Sequence, residues 1–329
     1  MQKVAGSLFG LAYGDALGKP TEFQDYATIV ATYGARGPRQ LTGNPALVTD
    51  DTQMALAVGE AMLEAPAITP AATEPLLRAH FLAWAKSPDN NRAPGMTCLR
   101  ACAALSENTK WQHATVAGSK GCGANMRVTP VGLHPGLDED QRAGLAQLQA
   151  GLTHGHPTGL AASELTAYAC WWLAGGRKPG DLLDALRERA GSQRTVYREA
   201  WLGDLWQRSG AGSAEQFIAQ GWDETAAALD RVGVALRAGD FDGDPCLATG
   251  EGWIAEEALA TALYCYLISP DEPVAVLGRG AASSGDSDSI ACLAGAFAGA
   301  ALGMGAWPAA WREQIEYADR LARLAAAWD

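Results

Sequence analysis

The chain has 329 residues, 48% hydrophobic and 19% charged, which is ample material for a core and excludes a chain that is disordered as a whole. Its formal net charge of −12 comes without a basic stripe, which argues against a nucleic-acid backbone as partner. The seven cysteines (98, 102, 122, 170, 246, 265 and 292) form no CxxC pair and no Cys/His zinc spacing, and read as reduced, buried thiols of a cytoplasmic protein.

In chain order, the opening "MQKVAGSLFGLAYGDALG" has a single Lys, and its apolar run is broken by Gly6, Gly10, Gly14 and Gly18 and by Asp15. It is read as a glycine-ridged helix of the mature fold and not as a targeting segment. A Gly- and Pro-punctuated turn, "GDALGKPTEF", then puts Glu22 on a loop. Apolar spacing of the helical period predicts helices over 50–64, 71–86, 158–174, 180–190, 223–238, 254–268, 289–305 and 308–328. Cys98 and Cys102 sit in a further helix-like stretch. The more polar segment 175–222 is expected as a surface helical excursion, not a second domain. No segment alternates like a β-strand, so the expected class is all-α.

Glycine costs about 1 kcal/mol per helical position relative to Ala, so a ridge of it needs a reason. Gly295, Gly299 and Gly303 repeat the four-residue spacing late in the chain. Both ridges are expected on central helices that neighbours approach closely. The run 290–306 nears the length of a membrane span, but it is mostly Ala and Gly with acids on its amino side. A buried helix with no membrane contact is the expectation.

Two segments share one pattern. Thr49-Asp50-Asp51-Thr52 and Asp286-Ser287-Asp288-Ser289 each place acids and hydroxyls at the start of a predicted helix. Helix capping explains such residues one at a time, and one cap needs one acceptor. If both helix starts converge, four carboxylates repel unless cations lie between them, and hard oxygen donors suit Mg²⁺ or Mn²⁺. A loop Glu22 near such a site could hold a water or act as a base. In "GSKGCGANMRVTPVGL" the Gly121-Cys122-Gly123 stretch offers backbone N–H groups to a phosphate or ribose, and Arg127 reads as a structural ion-pair partner. "THGHPTGLAASE" sets His154 and His156 before a helix start, where a phosphate or sugar contact suits at least one of them. The acids of "DFDGDPCLATGEGW" do not match a calcium loop and read as a polar connection.

Over roughly 1–305 the chain resembles the ADP-ribosylglycohydrolase family. The resemblance rests on "GSLFGLAYGDALGKPTEF", "TDDTQMALA", "GCGANMRVTPVGL", "THGHPTGLAA", "GEGWIAEEALATALY" and "GDSDSIACLAGAFAGA", which occur in family order. It implies a compact single-domain orthogonal helical bundle spanning 1–329, with a dinuclear cleft for two divalent cations, Mg²⁺ or Mn²⁺. It places metal ligands at Thr49, Asp50, Asp51, Asp286, Asp288 and Ser289, with Asp288 bridging. Glu22 and Asp288 are then the expected catalytic residues, and Gly121, Gly123 and His154 the expected substrate-binding ones. "GCG" stands where the family more often has "GNG". The implied reaction is hydrolysis of the bond joining ADP-ribose to an acceptor on a protein or small molecule, with ADP-ribose as product and arginine as the default acceptor. A serine-, nucleic-acid- or small-molecule-linked substrate is the alternative within hydrolases. A non-catalytic ADP-ribose-binding protein is the alternative outside them.

Overall fold

The computed structural model describes residues 2–107 and 110–329. Its helices in chain order begin with α1 (Lys3–Gly18), α2 (Tyr26–Tyr33), α3 (Asp50–Glu64), α4 (Pro70–Ala85), α5 (Met96–Ser106) and the single turn α6 (Trp111–Ala114). There follow α7 (Thr129–Leu133), α8 (Glu139–Gly151), α9 (Pro157–Ala174), α10 (Leu182–Gln193), α11 (Glu199–Leu202) and α12 (Ala214–Ala238). The last are α13 (Pro245–Thr249), α14 (Ala255–Ile268), α15 (Pro273–Ala281), α16 (Ser287–Leu302), α17 (Trp311–Gln314) and α18 (Ala318–Trp328). Among the described residues the only β pairings are isolated bridges, so the all-α expectation holds in a single domain.

The two glycine ridges face each other. A Cβ placed on Gly6 would meet Gly299 O at 2.6 Å, one on Gly10 would meet Gly295 O at 2.4 Å, and one on Gly14 would meet Ala291 O at 2.0 Å. On Gly18 it would fall 2.3 Å from the Asp288 Cα. Helices α1 and α16 therefore run antiparallel with their backbones in direct contact, and no residue but glycine fits the α1 side of that seam. The seam ends where α16 begins, so it fixes the first turn of α16 against the last turn of α1. Both helices are buried nearly throughout, and α9, α14 and α15 pack around them. No helix among the described residues is long and apolar enough to cross a membrane.

Several boundaries differ from the sequence expectation for local reasons. The segment 308–328 is not one helix. Ala46 pairs with the chain at this point, its N–H donating to Gln314 O and its carbonyl accepting from Glu316 N. Ile315 is extended, and Tyr317 takes a left-handed φ of 58° before α18 starts. The late glycine helix stops at Leu302, because Gly303 turns to φ 82°. Helix α12 begins at Ala214, capped by Ser213, since Phe217, Ile218 and Trp222 already lie on its buried face. The polar segment 175–222 thus contains the start of a core helix, and Leu182, Leu186, Trp201, Leu202 and Leu205 are buried within it. Its tie to the core is electrostatic as well: the fully buried Glu164 of α9 accepts two bonds from Arg189 and one from Gln147. Helix α8 was not anticipated, although the capping box of Asp138 and Gln141 is a sequence-level start signal. All seven cysteines are free and buried.

The seam makes a contrast between two helical glycines. Gly14→Ala should cost about 1–3 kcal/mol, because the methyl must displace backbone. Gly191→Ala in α10, where a Cβ meets nothing within 4 Å, should be neutral or stabilising by up to about 1 kcal/mol. Urea unfolding of the two variants checks this, and equal losses would refute the seam as the cause.

Candidate metal and ligand cleft

The close approach of α1 and α16 has a direct chemical product. Beyond Gly18 the chain turns, and Thr21 Oγ1 donates to Gly18 O at 2.7 Å and lies 3.0 Å from Ser287 Oγ. Ser287 Oγ also reaches Gly18 O at 3.1 Å. These bonds anchor the loop that carries Glu22 to the first turn of α16. One carboxylate oxygen from each of Glu22, Asp286 and Asp288 lies within 4.8 Å of the other two.

The second acid pair arrives on α3, and its position is set by a residue that the sequence reading passed over. Asp15, fully buried on α1, accepts from Thr49 N at 2.9 Å, Thr49 Oγ1 at 2.9 Å, Thr52 N at 3.0 Å and Thr52 Oγ1 at 2.6 Å. It caps α3 from another helix, docking the start of the Thr-Asp-Asp-Thr helix onto the glycine-ridged one. In the sequence Asp15 served only as an interruption of an apolar run. A carboxylate between two glycines four residues apart was the signal available.

Asp50, Asp51, Asp286, Asp288, Ser289, Glu22, Gly121, Gly123 and His154 all line one cleft of about 350 Å³. Thr49 does not. Its hydroxyl is turned onto Asp15 and Asp51, and it lines a neighbouring cleft that shares Glu22. Asp50 is steadied by the Gly95 N–H at 3.2 Å and Asp288 by the Ser289 N–H at 2.9 Å. Asp51 Oδ1 is buried with no hydrogen-bond partner. Among the described residues no Lys or Arg lines this cleft.

Such a cluster is electrostatically unfavourable by itself. Burial pushes Glu22 up to about 9, with repulsion from Asp288 and Asp50 adding to it. Burial also raises Asp15 and Asp50 to about 7, Asp288 contributing in each case. Asp51 and Asp286 rise well above the usual carboxylate range, again first through burial and then through Asp288. An orphaned, buried carboxylate oxygen and an all-oxygen donor set without a basic side chain fit hard divalent cations. The residues present are therefore suited to the metals that the family resemblance implies.

On the far wall, segment 118–133 is held by two backbone pairings: Cys122 N donates to Trp253 O at 3.0 Å, and Ala255 N to Lys120 O at 2.8 Å. The central N–H of the Gly-Cys-Gly stretch is thus already used. The two glycines also allow close packing, since a Cβ on Gly123 would meet Cys98 Sγ at 2.8 Å and His154 Cε1 at 3.1 Å. His154 is buried, with Nδ1 2.8 Å from Thr153 Oγ1, and burial and then Arg127 hold its pKa well below the ordinary value. It is a neutral imidazole whose Nε2 lies beside Gly121 and Gly123. His156 instead caps α9, accepting from Thr158 N at 3.2 Å.

Arg127 was expected to form an ion pair, and it forms none among the described residues. It is fully buried, donating to Gln149 Oε1 at 2.7 Å, Gln149 O at 2.6 Å and Thr153 Oγ1 at 2.8 Å, and its guanidinium lies over the Phe81 ring. Neutral dipoles and a ring face satisfy this cation, leaving its charge uncompensated behind the acidic cleft. The polar loop 240–253 also has a task. Asp244 caps α13, and Glu251 O accepts from Asp286 N at 2.8 Å, which sets the main chain ahead of the acid pair. Beside it, Trp253 stacks on Phe23 with centroids 5.5 Å apart and planes 16° from parallel.

A fold built of helices alone, with two acid-bearing helix starts meeting at a glycine seam, defines a recognisable class. The ADP-ribosylglycohydrolase family model matches residues 1–329, and the chain belongs to that family. It is 26% identical to the ADP-ribosyl-[dinitrogen reductase] glycohydrolase of Rhodospirillum rubrum, over 95% of this chain and 90% of that protein. It is likewise 26% identical to the human (Homo sapiens) ADP-ribosylhydrolase ARH3, over 96% of this chain and 90% of that one. A solved structure titled "ADP-ribosylglycohydrolase-related protein complex" superposes with a TM-score of 0.70 at 23% identity, over 99% of this chain and 96% of the other. The chain is a hydrolase of this family.

The raised carboxyls fix the sign of a pH effect. Each binds its proton more tightly folded than unfolded, where an acid titrates near ~4. Without divalent cations, their contribution to stability is complete below that value. It is lost as pH rises through about 7 for Asp15 and Asp50 and about 9 for Glu22. Melting temperatures of chelated protein should therefore fall across this window, and saturating Mg²⁺ or Mn²⁺ should flatten the fall. A metal-independent profile would contradict the reading of the cluster as a cation site.

Proposed function

We propose that the protein hydrolyses the glycosidic bond between ADP-ribose and an acceptor, using two divalent cations held by Asp50, Asp51, Asp286 and Asp288. Ser289 would complete the ligand set, from which Thr49 is left out because its hydroxyl is held on Asp15 and lines the neighbouring cleft. The observation that carries this reading is the meeting of both acid-bearing helix starts, with Glu22, in one cleft. When bound, the cations would polarise the ribose hydroxyls and lower the pKa of a bound water.

The chain's own residues supply the remaining chemistry. The all-oxygen wall orients the ribose ring. His154, neutral and buried, offers a ring nitrogen beside the two glycines to a phosphate or ribose oxygen. Cleavage at an anomeric carbon develops oxocarbenium character, which the surrounding carboxylates favour. The water oxygen bonds to the anomeric carbon while the acceptor bond breaks. Glu22 takes one proton from that water and returns a proton to the departing atom, so that one water is consumed per bond. Arginine is the default acceptor, though the acids and the glycine-histidine wall face the ribose and pyrophosphate and are blind to the group beyond.

Release of ADP-ribose from arginine-, serine- and nucleic-acid-linked conjugates, followed with and without chelator, tests the reading. Chelation should abolish release, added Mg²⁺ or Mn²⁺ should restore it, and Asp288→Ala should reduce it by about a hundredfold or more. Release that survives both treatments would remove the metal mechanism. Tight ADP-ribose binding by calorimetry with no turnover of any conjugate would point to a binding protein.

A further inference from the structure

A second cleft, of about 560 Å³, adjoins the acid-lined one and shares Glu22, Phe23 and Ala93 with it. Glu22 therefore stands in the wall between a cleft that meets the ribose and a cleft for which the reaction above has no occupant. Its far wall is the loop around Pro45 and Leu47. That loop is fastened by the pairing of Ala46 with Ile315 and by Gln314 Nε2 donating to Gly43 O at 2.8 Å and Leu41 O at 3.2 Å. It is a built surface.

The charges on this surface are few. Lys19, Glu22 and Arg92 are the ionisable side chains that line it. The guanidinium of Arg92 is already spent, donating to Val48 O and to both oxygens of Glu316 at 2.5 and 2.9 Å. Lys19, half-buried at the end of α1, has no hydrogen bond or ion pair among the described residues, although its backbone N–H donates to Asp15 O. Among the described residues its ammonium is the one uncommitted positive charge that lines the second cleft.

We infer that this second cleft seats the leaving side of the substrate, and that Lys19 selects acceptors carrying a carboxylate or phosphate next to the linked atom over a guanidinium. The inference rests on the hydrolase reading and revises its default acceptor. A guanidinium stays cationic when ADP-ribosylated, so it would enter beside a free ammonium, and like charges at a partly desolvated contact disfavour binding. An anionic acceptor gains a charge-assisted bond at the same place. Glu22, between the clefts, can then reach both the water and the departing atom.

The experiment compares kcat/KM for three conjugates: ADP-ribosyl-agmatine, an ADP-ribosylated serine peptide with acidic flanks, and ADP-ribose 1″-phosphate. The wild-type enzyme should favour at least one anionic conjugate over the agmatine conjugate, and the two anionic arms separate carboxylate from phosphate. Lys19→Glu should lower the anionic-to-guanidinium ratio by about tenfold or more, and Lys19→Arg should restore it. ADP-ribose affinity, read by calorimetry, should be the same in all three proteins and reports an intact fold. A ratio that charge reversal leaves unchanged, with ADP-ribose still bound, overturns the acceptor assignment and leaves the hydrolase reading standing. If no conjugate is hydrolysed by the wild-type enzyme, the hydrolase reading falls, and this one with it.

Discussion

The site depends on one steric condition: the backbones of α1 and α16 touch. Four glycines on α1 meet Gly303, Gly299, Gly295, Ala291 and Asp288 in descending order, each at a distance a methyl group could not share. Such a seam costs about 1 kcal/mol of helix propensity per glycine, and it returns dense backbone contact with little freedom to slide. The consequence is positional. With Gly18 against the Asp288 Cα, the end of one helix and the start of the other form a single rigid corner. Both the Glu22 loop and the Asp286–Asp288 pair grow from it. Asp15, three residues before that corner, extends the same control to α3 by capping it. Three stretches far apart in the chain, 15–22, 49–52 and 286–289, are thus referred to one axis.

That axis also concentrates charge where a protein interior least tolerates it. The cleft is lined by five carboxyl groups, and Asp15 stands just behind. Hydrogen bonds from Thr49, Thr52, Gly95 and Ser289 offset part of the burial cost but leave Asp51 Oδ1 with nothing. Among the described residues no basic side chain stands among the acids. The nearest buried cation, Arg127, is turned to neutral oxygens and a ring face, so that it contributes potential without occupying ligand positions. Carboxylates held this way, without a basic partner, cost stability by themselves, and their all-oxygen chemistry fits an external divalent cation.

Much of this was legible in the sequence, because acid clusters at helix starts and four-residue glycine spacing are local patterns with local causes. Fold class and the two glycine helices follow from such patterns, whereas the shared cleft of Glu22, Asp50, Asp51, Asp286, Asp288, Ser289, Gly121, Gly123 and His154 is what the family resemblance implied. What escaped depends on partners distant in sequence. Asp15 looks like a break in an apolar helix until Thr49 and Thr52 are brought to it. Arg127 looks like half of an ion pair because its satisfaction comes from Gln149 and Thr153, neither of which is acidic. The interruption at Ile315 is invisible without Ala46, and the buried face of α12 was hidden inside a segment whose average polarity is high. Thr49 shows the same limit within a motif. The pattern puts its hydroxyl with the aspartates, whereas the capping bond to Asp15 turns it to the neighbouring cleft.

The Glu22 loop is held differently from everything else in the site. Its base is fastened by Thr21 and Ser287, but its tip relies on Phe23, which is 69% exposed and adopts a left-handed φ of 65°. For a residue with a side chain of this size that conformation costs roughly 1–3 kcal/mol. The stack on Trp253 returns about 0.5–1.5 kcal/mol beyond the area it buries. The two terms are of the same order, so the tip is poised, unlike the acids on α16, which are fixed by backbone contact, and those on α3, which are fixed by the Asp15 cap. Trp253 shares its loop with Glu251, whose carbonyl holds the Asp286 N–H, and its own carbonyl holds Cys122 on the opposite wall. The Phe23–Trp253 stack thus lies next to Glu22, to the loop that holds the main chain at Asp286 and to the glycine wall. The three parts of the cleft are thereby joined through one loop and one exposed ring stack.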